Sequence, residues 1–193
     1  MKPSTVLVAA ITAVLVSACA AHDSDGPAAH DQGGASTSAA AVVNDAADVT
    51  FATDMIPHHQ QAVAMAGLVP SRSSNPAVVT LASKIAAAQG PEIETMRSFL
   101  AQWGHPDAGH QDMSGMQMQG MVDDATMTRL ESLRGQEFDT LFLQSMIGHH
   151  EGAIAMAKTE LANGANADAK NLAQQIVTAQ QAEIDQMQQM LKG

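Results

Sequence analysis

Two pairs of adjacent histidines, His58-His59 and His149-His150, stand in nearly identical surroundings: DMIPHHQQAVAMA at residues 54–66 and SMIGHHEGAIAMA at 145–157. Neutral imidazoles can bind a transition metal, and the thioethers of Met55, Met65, Met146 and Met156 in the same stretches suit a soft ion such as Cu(I). A second collection of donors lies between the pairs, in GHPDAGHQDMSGMQMQGM (104–121), which carries His105, His110, Met113, Met116, Met118 and Met121. Core methionines fill gaps at helical spacing, whereas these sit among Gly, Gln, Asp and Ser with no apolar stripe to join. They read as a linker metal site, or as a Met-rich loop over the end of the domain. The single cysteine, Cys19, excludes an intramolecular disulfide and a thiolate cluster, so metal chemistry here rests on His, Met and carboxylates.

The elements that must position these residues come in duplicate. An offset of 91 superposes the two histidine pairs and holds without a gap, matching Asp48 with Asp139, Phe51 with Phe142, Met55 with Met146 and Met65 with Met156. It goes on to match LASKIAAAQGPEIETMRSFL (81–100) with LAQQIVTAQQAEIDQMQQML (172–191), so the chain contains two repeat units, about 48–100 and 139–191. Each unit holds two helical patterns around a break, at 68–76 with Pro70 and Asn75-Pro76, and at 163–168 with NGANAD. Two αα-hairpins rich in Ala, Leu, Met and Gln predict an all-α four-helix bundle over residues 44–193. A short helix capped by Asp123 or Asp124 is expected before the second unit.

Placed on a helix advancing about 100° per residue, Phe51, Met55, Ala62 and Met65 fall within about 60° of His58, and His59 about 100° away. Both histidines of each pair therefore flank the apolar stripe. On the partner pattern Leu81, Ile85, Ala88, Ile93, Met96 and Leu100 make a stripe with Glu92 in its middle and Gln89 beside it. The repeat places Glu183, Gln180 and Met187 equivalently. Pro57 and Gly148 share one repeat position, just before the pairs; they predict a bend that re-aims the histidines, or, for Pro57, the first turn of a helix starting near Asp54. Two readings of the polar core compete. In one, Glu92 and Glu183 accept hydrogen bonds from the histidines and fix the register of the bundle. In the other, imidazoles, thioethers and carboxylates, with Gln89, Gln180, Met96 and Met187 close by, hold copper or another transition metal.

Residues 1–18 read as an address. Lys2 precedes an apolar run from Val6 to Val16, too short for a comfortable membrane span, and small residues follow. Val16-Ser17-Ala18-Cys19 resembles the lipobox of bacterial lipoproteins, which implies lipidation of Cys19 and a protein secreted to the cell envelope, on the outer side of the cytoplasmic membrane or in the periplasm. The alternative is a plain secretory signal with an incidental cysteine. Residues 19–43, mostly Ala, Gly, Ser and Asp after the cysteine, read as a flexible tether. Removing 1–18 takes away one basic residue, Lys2, and leaves 8 basic against 20 acidic residues. Such a chain repels nucleic acid and anionic lipid. Its expected partners are the membrane, through the N-terminal lipid, and an envelope protein that gives or receives the ion.

The segments EFDTLFLQSMIGHHEGAIAMA (137–157) and DVTFATDMIPHHQQAVAMA (48–66), with the Glu92 and Glu183 segments, resemble the bacterial domain of unknown function 305 family. The resemblance covers about 45–192 and implies a ferritin-like four-helix bundle. Some members are implicated in periplasmic copper binding and resistance through Met and His, which directs attention to Met55, His58, His59 and Met65 and to Met146, His149, His150 and Met156. The ferritin likeness stops there. Di-iron bundles use Glu-x-x-His pairs, and neither histidine pair has a Glu three residues earlier, while Glu151 faces Gln60 across the repeat. No nucleophile elbow or phosphate-binding loop is present. The sequence names no catalytic residue. It favours a copper-binding envelope lipoprotein for buffering, resistance or transfer over a purely structural or interaction lipoprotein and over a ferritin-like redox enzyme.

Overall fold

The computed structural model describes residues 43–108 and 118–192, which form five α-helices and no strand. The signal segment, Cys19 and most of the tether lie outside the described residues. Helix α1 (Ala46–Arg72) and α2 (Pro76–Gln102) make the first hairpin, α4 (Gly135–Asn163) and α5 (Ala167–Met190) the second, and the short α3 (Asp124–Ser132) precedes the second unit. Local chemistry sets most of the starts. Asp45 and Asp48 form a reciprocal capping box at α1, Asn75 caps α2 with Pro76 in the first turn, Asp123 caps α3 and Asn166 caps α5.

Of the two placements expected for Pro57, the interior one is found: helix α1 starts at Ala46 and not near Asp54, so Pro57 lies inside it and leaves the Thr53 carbonyl without its helical donor. It also runs through Pro70 to Arg72, so the first break shrinks to Ser73–Asn75. Both histidine pairs consequently sit in the middle of long helices. Ala88, expected on the buried stripe of α2, is exposed, and Gln89 is buried in its stead.

Within each hairpin the two helices pack together, and α1 packs on α4 to join the hairpins. The apolar interior falls into two lobes. One gathers Phe51, Met55 and Ile56 from the start of α1, Met96 and Leu100 from the end of α2, Ala157 from late α4 and Ile176 from early α5. The other gathers Met65 and Val69 from late α1, Leu81 and Ile85 from early α2, Phe138, Phe142 and Met146 from early α4, and Met187 from late α5. Helices α1 and α4 are therefore antiparallel, and the repeat symmetry exchanges the lobes. On every bundle helix the two sets are separated by a polar layer: His58 and His59, Gln89 and Glu92, His149 and His150, Gln180 and Glu183. Among the described residues no helix is long and apolar enough to cross a membrane.

Candidate metal centre

The helical advance between adjacent residues sorts each histidine pair. The second histidine turns toward the other helix of its own hairpin: His59 Nε2 lies 2.8 Å from Glu92 Oε2, and His150 Nε2 lies 2.7 Å from Glu183 Oε2. The carboxylates are about one-fifth exposed while both imidazoles are buried, so each Glu reaches in from the rim and keeps contact with water. The first histidine turns to the α1/α4 interface, where His58 and His149 meet with ring centroids 3.8 Å apart and planes inclined by 42°.

The facing rings are neutral. Burial holds His58 down to about 3, helped by the charge that His59 would carry and opposed by a bond to a backbone carbonyl. Burial, then repulsion from His58, His150 and His59, pushes His149 well below the ordinary histidine value. Their lone pairs are available at any physiological pH.

The end of the Met/His-rich linker, with Val122 just beyond it, lies on this layer. Gln61 grips Val122 twice, its Nε2 donating to the Val122 carbonyl at 2.8 Å and its Oε1 accepting from the Val122 N–H at 2.8 Å. Gly120, at φ +86°, lies so close to α4 that a Cβ there would come within 2.8 Å of the Gly148 carbonyl oxygen. A Cβ on Gly152 would in turn collide with the Gln119 carbonyl. That carbonyl accepts from His58 Nε2 at 3.3 Å. Gln61, Gln119, Gly120 and Gly152 are absent from the sequence-derived set. The signal for two of them was present, since Gln61 and Gly152 occupy the same position of the 91-residue repeat and differ in kind.

The residues suit a soft metal. Nδ1 of all four histidines, Nε2 of His149, both polar atoms of the Gln89 side chain and Oε1 of Gln180 are buried without a hydrogen-bond partner, an unusual concentration for one layer of a core. Met55 and Met146, fully buried, precede His58 and His149 by three residues, one turn away on the same face. Met65 is buried and Met156 half-buried two turns on; Met96 and Met187 are buried in opposite lobes. Among the described residues no three of His, Cys, Asp and Glu converge as a ligand set. An ion held here would draw on thioethers as well as imidazole, the donor mixture that favours Cu(I). In the linker, His105 is exposed and Met118 and Met121 are half-buried, whereas His110, Met113 and Met116 lie outside the described residues.

The family described as a domain of unknown function, DUF305, matches residues 48–191. The chain belongs to the DUF305 family. A DUF305 protein from Streptomyces coelicolor, provisionally described as secreted, is 35% identical with a TM-score of 0.68 over 76% of this chain and 92% of its own. A DUF305 fragment from Deinococcus radiodurans is 32% identical with a TM-score of 0.70, over 77% and 97%. CopM, in its Cu(I)-bound form, is 30% identical with a TM-score of 0.62, over 75% and 95%; structures similar to this chain also include CopM with Cu(II), with silver and in the apo form. No curated protein sequence matches the chain. Membership in DUF305 thus covers both hairpins and the layer between the lobes.

Proposed function

We propose that this DUF305 protein binds copper as Cu(I) in the polar layer and serves outside the cytoplasm, tethered through Cys19, as a buffer or carrier of the ion and not as a catalyst of turnover. The observation that carries the reading is the facing pair His58 and His149: neutral, buried, with unpartnered nitrogens, and each one turn beyond a buried methionine. CopM, with structures holding Cu(I), Cu(II) and silver, supports the choice of metal. The secreted description of the Streptomyces coelicolor relative and the lipobox-like Val16–Cys19 support the location.

In this reading His58 and His149 supply imidazole nitrogen, and Met55 and Met146 supply thioether sulfur. Glu92 and Glu183 orient His59 and His150 in the same layer, as carboxylates do for the histidines of metal sites. The ion is cargo, so no catalytic step is required of these residues. The test is a Cu(I) titration against a competing chelator. We expect tight binding that is lost in the double variant His58→Ala/His149→Ala, with its helical circular dichroism retained. Micromolar or substoichiometric binding by the wild type would sink the proposal.

The His–Glu hydrogen bonds at 2.8 and 2.7 Å give the structural reading a share of the same layer. His59 and His150 hold the helices of each hairpin in register, so His59→Ala is expected to lower thermal stability in the absence of metal.

A further inference from the structure

We infer that Gln61 is a positioning residue: by clamping Val122 it holds the Gln119 carbonyl on His58 Nε2, and so reserves His58 Nδ1 as the nitrogen that can bind a metal. A carbonyl oxygen can only accept. The 3.3 Å contact therefore makes Nε2 the protonated nitrogen of the neutral ring and leaves the lone pair on Nδ1, which is buried and unpartnered.

The position of the carbonyl is set from two sides. Gln61 grips the backbone at Val122 with paired bonds of 2.8 Å each. Gly152, which has no side chain, lets the Gln119 backbone settle directly on α4. Both residues occupy one repeat position, yet one is the clamp and the other the berth. His149, the repeat counterpart of His58, has no equivalent partner on either nitrogen. The bundle is nearly symmetric, but the docked segment makes the two facing histidines different: Gln119 meets Nε2 of His58, and among the described residues no such carbonyl from the linker meets His149. Met118 and Met121, both half-buried, bracket Gln119 and Gly120 in the chain.

The role at the metal rests on the proposed function; the tautomer does not, and the experiment separates them. The imidazole nitrogens of His58 would be recorded by ¹⁵N NMR in the full, metal-free chain, for the wild type, Gln61→Ala and Gly152→Ala. Cu(I) affinity would be measured on the same samples by chelator competition. Alanine suits the helix at both positions. The first change removes the clamp and the second obstructs the berth, so each checks the other. We expect a single His58 tautomer with the proton on Nε2 in the wild type. Both variants should lose it, and Cu(I) affinity should fall by roughly 10- to 100-fold, the usual effect of removing an outer hydrogen-bond partner of a ligand.

A proton on Nδ1 in the wild type, or an Nε2–H tautomer that persists in both folded variants, overturns the inference. So does a lost tautomer with unchanged affinity. If the wild type binds no Cu(I), the functional reading fails, and the dock is judged by the tautomer alone: loss in both variants upholds Gln61 as its selector and persistence overturns it.

Discussion

Histidines adjacent in sequence have opposite tasks in this fold. His59 and His150 each give Nε2–H to a carboxylate, while His58 and His149 meet ring to ring at a tilt and stay uncharged. The helical wheel brought all four to the edge of the apolar stripe, but it could not separate them. A wheel describes one helix, and the sorting depends on which neighbour stands on each side. The same limit explains Ala88 and Gln89: the stripe of α2 turned toward a polar layer contributed by three other helices, and glutamine was buried where alanine was expected. Burial of His149 with neither nitrogen partnered leads to an unusual expectation. Replacing an unsatisfied buried polar group by an apolar one of similar size is neutral or stabilising. His149→Leu should therefore raise the melting temperature of the metal-free protein while reducing Cu(I) binding. A lower melting temperature in the metal-free state would contradict the assignment of His149 as a group held ready for a ligand.

At the scale of elements, the 91-residue offset made both hairpins legible in the sequence, and the paired aspartates announced the short α3, with Asp123 and not Asp124 proving to be its cap. The passage of α1 through Pro57 was one of two readings left open, and its passage through Pro70 was not legible. Proline is a local signal against a helix interior, yet Phe51, Ala52, Met55, Ile56 and Val69 are buried along α1, and packing of that length overrides a local penalty. The penalty still exists. Pro57→Ala restores an N–H to the Thr53 carbonyl and should stabilise the fold by up to about 3 kcal/mol, measured by urea denaturation. No gain would show that the surroundings of Thr53 already satisfy its carbonyl.

The whole molecule couples its middle layer and one end of the bundle to pH in opposite senses. His58, at about 3, and His149, also lowered, bind fewer protons folded than in the unfolded chain, whose histidines titrate near 6.5. Their contribution is complete above that value and falls away as pH drops toward the folded values. At the end of the bundle near the start of α1, burial pushes Glu160 up to about 8; its hydrogen bond with Asp48 and the charges of Asp48 and Asp45 act the same way, and Lys170 opposes them. Burial would raise Asp48 too, but bonds from the Asn166, Asp45 and Ala165 N–H groups and from the Glu160 side chain hold it low. Glu160 favours the fold below its unfolded value of 4.5, and that advantage is lost as pH rises to about 8. Each proton changes the slope by roughly 1.4 kcal/mol per pH unit. With two histidines acting against one carboxyl between 4.5 and 6.5, metal-free stability should peak near 6.5. Glu160→Gln should flatten the alkaline side, as denaturation at pH 5, 6.5 and 8 would show.

The exchange of lobes across the layer bears on how such a molecule can be assembled at all. Phe51 and Met55 of the first hairpin share their lobe with Ala157 and Ile176 of the second, and Phe142 and Met146 share theirs with Met65 and Ile85 of the first. A single hairpin supplies only part of the cover for these side chains, so an unfused unit would have to associate as twins to complete each lobe. Twins must carry one residue at the position shared by Gln61 and Gly152: two glutamines would offer two clamps and no berth, two glycines two berths and no clamp. Joining the copies into one polypeptide is what allows one of each, and a seat for the linker on one side only.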